Sequence, residues 1–192
     1  MKENISIQEP KPILTVNKWK FIIWLFIITI IMLFASQTSA YIVRRAEGNW
    51  TEFEIPLIFW YSSLVLIVSS IFMQLSLMAA KKDEFGKLKA FISISFLLGI
   101  IFLIMQYIGW QNLQTQGIYL KGNPSGSFYY IITGLHGFHL ITGLIVMLFS
   151  FYSSFKMDIH SKNLIRLEVC TIYWHFLDLL WIYLFGFLLF FR

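Results

Sequence analysis

Five long apolar stretches dominate the sequence and limit its possible folds. Each is 21 to 24 residues long, and they cover 21–43, 57–79, 90–110, 128–151 and 169–191. A helix of about 20 apolar residues crosses the hydrocarbon core of a bilayer. The stretches are too long and too continuously apolar for the alternating strands of a membrane barrel. We therefore predict an all-α, polytopic membrane protein with five transmembrane helices.

The composition favours a membrane location and excludes several classes of soluble protein. Of the 192 residues, 58% are hydrophobic and 13% are charged, and the mean hydropathy is +0.71. Soluble domains contain about a quarter charged residues, so this chain could not cover a water-facing surface. A soluble enzyme, a nucleic-acid-binding protein and a disordered chain are thereby ruled out. The single cysteine, Cys170, excludes a disulfide framework and a metal site built from several cysteines.

The segments between the stretches are too short to fold alone. The loops contain 10 to 17 residues, and about 40 are needed for a small domain without disulfides or metals. We predict a cytoplasmic tail at 1–20 and one five-helix domain at 21–192. Residues 38–40 resemble a signal-peptide cleavage site, but the apolar run continues to Val43, so we expect this segment to remain as a span.

The distribution of lysine and arginine predicts the orientation of the chain. The tail, the second loop and the fourth loop share one side of the membrane and carry 11 of the 15 basic residues. The opposite side carries Arg44, Arg45, Lys121 and Arg192. Basic residues that flank spans stay in the cytoplasm. We therefore expect the N-terminus inside and the C-terminus outside.

Small polar residues recur along the second and third stretches. Ser62, Ser69 and Ser76 are spaced seven apart, and Ser95 and Gly99 are spaced four apart. Small residues in such rows let membrane helices approach each other closely. We interpret both rows as helix-packing seams.

The last two stretches carry the polar residues that are most unusual at membrane depth. His136 and His139 are three apart, hence on one face of a helix. Glu168, His175 and Asp178 follow one stripe of the fifth stretch. An unpaired aspartate at the centre of a membrane helix costs about 2.5–3.5 kcal/mol on insertion scales. We therefore expect Asp178 to pair with His139, which lies at a similar depth, or with His175.

These residues are a poor fit to a metal or haem site. Two axial haem ligands approach from opposite faces, so His136 and His139 cannot serve as a pair. A cross-helix haem pair that includes His175 stays open, whereas three histidines and one aspartate are few for a non-haem site. We expect no catalytic, cofactor-binding or metal-ligating residue in this chain.

Two motifs in the same stretches resemble the cytochrome c oxidase subunit III family. The penultimate helix of that family has a G-x-H-G-x-H run, and residues 134–139 match it within SFYYIITGLHGFHLITGLIVMLF. Its last helix has the pattern E-x5-W-H-F-x-D-x-x-W, and residues 168–181 match it within LEVCTIYWHFLDLLWIYLF. The matching residues of the second motif are Glu168, Trp174, His175, Phe176, Asp178 and Trp181. The chain is similar to the five-helix bacterial form, which lacks the first two helices of the seven-helix form.

The resemblance implies an accessory role in an aerobic respiratory oxidase. Subunit III carries no redox centre, because the haems and copper lie in subunits I and II. It packs on subunit I in the bacterial inner membrane, binds phospholipids, and supports proton uptake and turnover stability, within the oxidase or a larger respiratory supercomplex. By this resemblance five polar motif residues are structural: His136, His139, Glu168, His175 and Asp178.

The resemblance also identifies two candidates for lipid binding and one departure from the family. Phe26 matches a phenylalanine that lines the lipid cleft of relatives. Lys156 is the nearest equivalent of a basic residue that binds lipid phosphate, as its charge allows. Ile30 stands where the family often has a buried glutamate, so the resemblance does not carry the proton-related role of that carboxylate over to this chain.

Three other functions stay open on the sequence. A quinol oxidase subunit III would have nearly the same pattern, because subunit II binds the electron donor. A small haem b membrane cytochrome would show a Soret band in the purified chain. A transporter or channel would have a water-filled path lined by Asp178, and only the serine-rich face of the second stretch favours it.

Overall fold

The computed structural model describes residues 17–155 and 164–191, and most of them lie in five helices. The helices are α1 (Lys18–Ala46), α2 (Ile58–Lys81), α3 (Phe85–Thr115), α4 (Pro124–Phe155) and α5 (Ile165–Phe190). All five are long and apolar enough to cross a membrane. The predicted all-α membrane fold with five transmembrane helices is confirmed. The orientation of the termini stays a prediction, as does a domain division at residue 20.

The helices extend beyond most ends of the predicted spans. α3 contains 31 residues where the span 90–110 was expected, and α1 contains 29. Apolarity marks only the part of a helix that crosses hydrocarbon, whereas backbone hydrogen bonding continues into the headgroup region. The loop at 82–84 is consequently three residues long and joins α2 and α3 as a tight antiparallel pair.

Side chains at two helix starts explain why the helices begin there. The Asn17 side chain accepts a hydrogen bond from the Trp19 backbone N–H at 3.0 Å and caps α1. Asn123 accepts one from the Ser125 N–H at 2.9 Å before α4. Pro124 occupies the first position of α4, where a helix needs no N–H donor. The asparagines satisfy backbone groups that the helix itself leaves unpaired.

Four helices form a closed bundle, and α1 lies against its outside. α2 packs on α3, α3 on α4, α4 on α5, and α5 returns to α2. Within the part of the chain that the structure describes, α1 packs only on α4 and α5. Trp174 and Trp181 of α5 are the largest fully buried side chains. α4 and α5 each pack on three of the other four helices, and α5 is the central one because it carries these two buried tryptophans.

Both predicted packing seams are confirmed: a Cβ at Gly99 would meet Trp174 of α5, and the serines of the two rows form one seam between α2 and α3. Four of its serines are fully buried: Ser62, Ser69, Ser76 and Ser95. Ser69 and Ser95 each donate a hydrogen bond from the hydroxyl to the backbone carbonyl of the other, both at 3.0 Å. A Cβ at Gly109 would lie 2.4 Å from the ring of Phe59. Small side chains thus allow α2 and α3 to approach as closely as they do.

Candidate functional site

Two tryptophans of α5 bind this helix to α2. The Trp174 indole N–H donates to the Ser69 hydroxyl at 3.2 Å, and the Trp181 indole N–H donates to the Ser63 hydroxyl at 2.9 Å. Both indoles are buried, and a buried N–H needs a partner. Because the tryptophans are seven residues apart on α5 and their acceptors six apart on α2, the two bonds define the register of the antiparallel helices.

His175 follows Trp174 directly and also faces α2. Its Nδ1 lies 2.6 Å from the Ser70 hydroxyl, and its Nε2 lies 3.2 Å from Gln74 Oε1. A neutral imidazole has one donor and one acceptor nitrogen. With the Gln74 amide in this orientation, Nε2–H donates to Gln74 and the Ser70 hydroxyl donates to Nδ1. His175 is therefore fully paired without an acidic partner.

Asp178 lies one turn beyond His175 and is only 4% exposed. The Ser70 hydroxyl is beside it, but neither carboxylate oxygen has a hydrogen-bond partner among the described residues. The predicted pairing with a histidine is wrong. His175 is turned toward α2, and His139 Nδ1 is bonded within α4, to the Leu135 carbonyl at 2.8 Å. Helical spacing indicates the depth of a side chain but not the direction in which its ring points.

The two histidines of α4 contact different helices. The His136 ring is fully buried, with its centroid 5.1 Å from that of Trp181 and 6.1 Å from that of Phe102. Neither of its nitrogens has a hydrogen-bond partner among the described residues. His139 instead packs against Phe34 of α1, with ring centroids 5.7 Å apart. Both side chains lie on the buried side of α4, as expected. Because three residues are slightly less than one helical turn, the two rings point toward different neighbouring helices.

Glu168 connects α5 to α1. Its Oε2 lies 2.7 Å from Lys20 Nζ, and both side chains are partly exposed. The stripe predicted along α5 therefore divides between two neighbours, because Glu168 contacts α1 whereas His175 contacts α2. An ion pair between residues 148 positions apart could not be found from local spacing.

The lipid-binding candidates have unequal support. Phe26 is 44% exposed on α1, and its ring centroid lies 5.7 Å from that of Tyr173. Lys156 lies outside the described residues. Ile30, at the position of the family glutamate, is 2% exposed and belongs to the apolar core. Phe26 is thus exposed on the outer surface of the bundle, and its contact with lipid stays a prediction.

Gln74 belongs to neither motif, yet it completes the hydrogen bonds of His175. The signal was available, since an amide within an apolar stretch is costly in lipid. Among residues 17–155 and 164–191, no group of three or more His, Cys, Asp or Glu could hold a metal ion. Many buried polar atoms that have partners bond to another helix or to the backbone of their own helix, and Ser125 bonds to the Thr51 carbonyl in the loop before α2. Chemically, the arrangement holds α5 in a defined position between α1 and α2.

Comparisons with known proteins agree with the two motifs. The profile of the family described as cytochrome c oxidase subunit III matches residues 48–192. The chain is 32% identical to the probable cytochrome c oxidase subunit 3 of Mycobacterium tuberculosis over 176 residues, which cover 89% of this chain and 86% of the relative. It is 33% identical to the protein of that name from Nocardia farcinica, with the same coverage. It is 30% identical to the cytochrome bo(3) ubiquinol oxidase subunit 3 of Pseudomonas aeruginosa, over 84% of this chain and 79% of the relative.

Proposed function

Because the chain belongs to the cytochrome c oxidase subunit III family, whose members are accessory subunits of haem-copper oxidases, we propose that it packs on subunit I of an aerobic terminal oxidase. Haem and copper lie in subunits I and II, and this chain has none. It supports proton uptake and turnover stability during oxygen reduction. The complex lies in the cytoplasmic membrane of a bacterium, with the N-terminus of this subunit in the cytoplasm, and can join a larger respiratory supercomplex.

The observation that carries this proposal is that polar side chains within the bundle are paired with neighbouring helices. Trp174, His175 and Trp181 each bond to a side chain of α2, and Glu168 pairs with α1. These groups are occupied by neighbouring helices rather than arranged around a ligand. A helix bundle held together in this way suits a subunit that stabilises a neighbour. The motif residues, including His136, His139 and Asp178, are structural in this proposal.

Affinity purification of the chain from its native membrane tests the proposal. We expect a haem-bearing membrane subunit to co-purify with the tagged chain, and the complex to show a Soret band. After detergent separates the chain from its partners, the isolated chain should show none. A Soret band that stays with the isolated chain would instead support a haem b cytochrome. Recovery of the chain alone from intact membranes would contradict an oxidase role.

Phospholipid binding on the exposed surface of α1 is a second part of the proposal. Phe26 offers an exposed aromatic face within the membrane, and Lys18 and Trp19 lie exposed at the start of the same helix. An acyl chain can lie along the ring while a basic residue at the helix end meets the phosphate. Lys156 remains the candidate for a second phosphate contact.

The Phe26→Ala variant tests lipid binding. We expect the purified oxidase to retain less phospholipid and to lose activity sooner during turnover, while the initial rate stays the same. Phe149→Ala is the matched control, because Phe149 is 69% exposed on α4. Equal phospholipid content in the two variants would exclude a specific role of Phe26.

A quinol oxidase is the alternative, and one comparison favours it. The Pseudomonas aeruginosa relative is named as a subunit of a ubiquinol oxidase, at an identity similar to that of the cytochrome c oxidase relatives. Oxygen uptake by the purified complex distinguishes the two. Reduced cytochrome c should sustain uptake in the leading proposal, whereas only ubiquinol would do so in the alternative.

A further inference from the structure

Polar side chains are exposed on the outer face between α2 and α5. Gln74 is exposed and His175 is half-buried there. The Gln74 amide uses Oε1 for His175, at 3.2 Å, and among the described residues its Nε2 has no hydrogen-bond partner. Lipid tails offer no acceptor for this N–H₂ group. In contact with lipid alone, the exposed amide would therefore keep an unpaired hydrogen-bond donor.

The depth of Gln74 argues against water or a headgroup as its partner. Gln74 lies seven residues before Lys81, the last residue of α2, which is about 10 Å along the helix axis. Side chains of a helix lean toward its N-terminus, so Gln74 leans away from the Lys81 end and deeper into the membrane. The hydrogen bond to His175, near the middle of α5, is consistent with this direction.

Gln74 is surrounded by exposed apolar side chains, as is typical of a helix-packing surface with a polar centre. Ile71 and Met78 lie within about one turn of Gln74 on α2, and Leu179 lies one turn beyond His175 on α5. These three apolar side chains are 54%, 46% and 68% exposed. A polar centre with an apolar border is how membrane helices recognise each other, since a hydrogen bond there adds to van der Waals packing.

The exposed face of α4 differs and fits lipid. Every exposed residue between 131 and 149 is apolar: Ile131, Phe138, Ile141, Ile145, Leu148 and Phe149. No exposed polar group on this part of α4 requires a protein partner. Of these two faces, the α2–α5 face is therefore the one that fits a protein partner.

We propose that the α2–α5 face, formed by Gln74, His175, Ile71, Met78 and Leu179, binds a transmembrane helix of another oxidase subunit. That helix presents a hydrogen-bond acceptor, such as a hydroxyl or a carboxyl oxygen, to Gln74 Nε2. The inference rests on the proposed function, because membership of an oxidase supplies the neighbouring membrane subunits. What is new is the surface of this chain on which those neighbouring subunits pack.

Photo-crosslinking in the native membrane tests the surface. A photoreactive amino acid replaces Leu179 on the α2–α5 face or Ile145 on α4 in the tagged full-length chain. We expect Leu179 to crosslink to another oxidase subunit and Ile145 to crosslink to lipid. A crosslink of Leu179 to lipid only, or to a second copy of this chain, would overturn the inference. So would a crosslink to an oxidase subunit from Ile145 alone.

The Gln74→Leu variant tests the hydrogen bond itself. We expect about threefold weaker retention of the haem-bearing subunit during detergent washing, the usual size of one such bond in a membrane. Ser70→Ala is the first control, because it removes a bond to His175 but leaves Gln74 intact. Tyr107→Phe is the second, because Tyr107 is 60% exposed on α3. Retention unchanged in Gln74→Leu, or lowered equally in all three variants, would overturn the inference.

Failure of this inference is distinguishable from failure of the proposed function. If the unmodified tagged chain recovers no haem-bearing subunit, the oxidase role itself is wrong and the docking surface falls with it. If that subunit is recovered but crosslinks elsewhere, the oxidase role stands and only the assigned face is wrong.

Discussion

α4 and α5 carry the two family motifs, yet their polar residues are held in opposite ways. On α5, Glu168 and His175 bind side chains of α1 and α2. On α4, the histidine side chains make no hydrogen bond to another helix among the described residues, and His136 is enclosed by aromatic rings. These α5 residues are thus held by directional bonds to other helices, whereas the α4 histidines are held mainly by shape, and α4 bonds to α5 through Thr142 and Tyr173 instead, at 2.8 Å. Histidine thus forms directional hydrogen bonds at position 175 and packs among aromatic rings at position 136.

Trp174→Ala should have the largest effect, because this side chain combines both kinds of contact. The indole is fully buried and donates to Ser69. Its loss should lower the free energy of unfolding by about 3–5 kcal/mol, measured as thermal unfolding of the purified complex. Trp24→Ala is the control, since Trp24 is 55% exposed. Equal losses in the two variants would mean that the α5 interior is not the main source of stability.

Gly143→Val tests whether α4 is positioned by shape. A Cβ at Gly143 would lie 2.8 Å from Leu177 and 3.3 Å from Trp174, both on α5. Overpacking of this kind costs about 1–3 kcal/mol, which a shift in unfolding temperature would detect. Gly137→Val is the matched control, because a Cβ there has nothing within 4 Å. If both variants are equally stable, α4 can move and its fit to α5 is loose.

Leucine substitutions at the two central histidines compare the helices directly. His175→Leu leaves Ser70 and Gln74 without their partner and should cost about 0.6–1.7 kcal/mol. His136→Leu removes a ring whose nitrogens have no hydrogen-bond partner among the described residues, so stability should be unchanged or higher, because an unpaired buried polar group is itself unfavourable. Thermal unfolding of both variants, measured in parallel, shows which substitution lowers the stability more. A larger loss for His136→Leu would reverse our comparison.

Lys20→Met should have the smallest effect. The pair of Lys20 with Glu168 is partly exposed, and such pairs contribute about 0–1 kcal/mol. A double-mutant cycle with Glu168→Gln isolates the pairwise energy, and added salt should reduce it. A coupling energy above this range that persists in high salt would indicate that α5 is attached to α1 more firmly than its exposure implies.

The number and type of the helices could be predicted from the sequence, because transfer of apolar residues into lipid depends on composition and length alone. The α2–α3 seam was predictable for a similar reason: Ser69 and Ser95 are small, and small residues in rows permit close approach. The helix ends were less accurate, since Asn17 and Asn123 act through backbone hydrogen bonds that hydropathy does not register.

The partners of the polar residues could not be predicted. Helical spacing predicts comparable depths for Asp178 and His139, but the Asp178 carboxyl lies beside Ser70, whereas His139 bonds to the Leu135 carbonyl within α4. Gln74 gains meaning only when α2 lies beside α5, because 100 residues separate it from His175.

Residue chemistry and length alone thus require this chain to lie in a membrane as five helices, and two motifs indicate its family. Those properties are local, since each apolar stretch is stable in lipid whatever its neighbours are. The pairing of Trp174 with Ser69, the aromatic enclosure of His136 and the exposed amide of Gln74 depend on how the helices are rotated against each other. Rotation is set by contacts between distant parts of the chain, so it emerges only when the whole bundle is assembled.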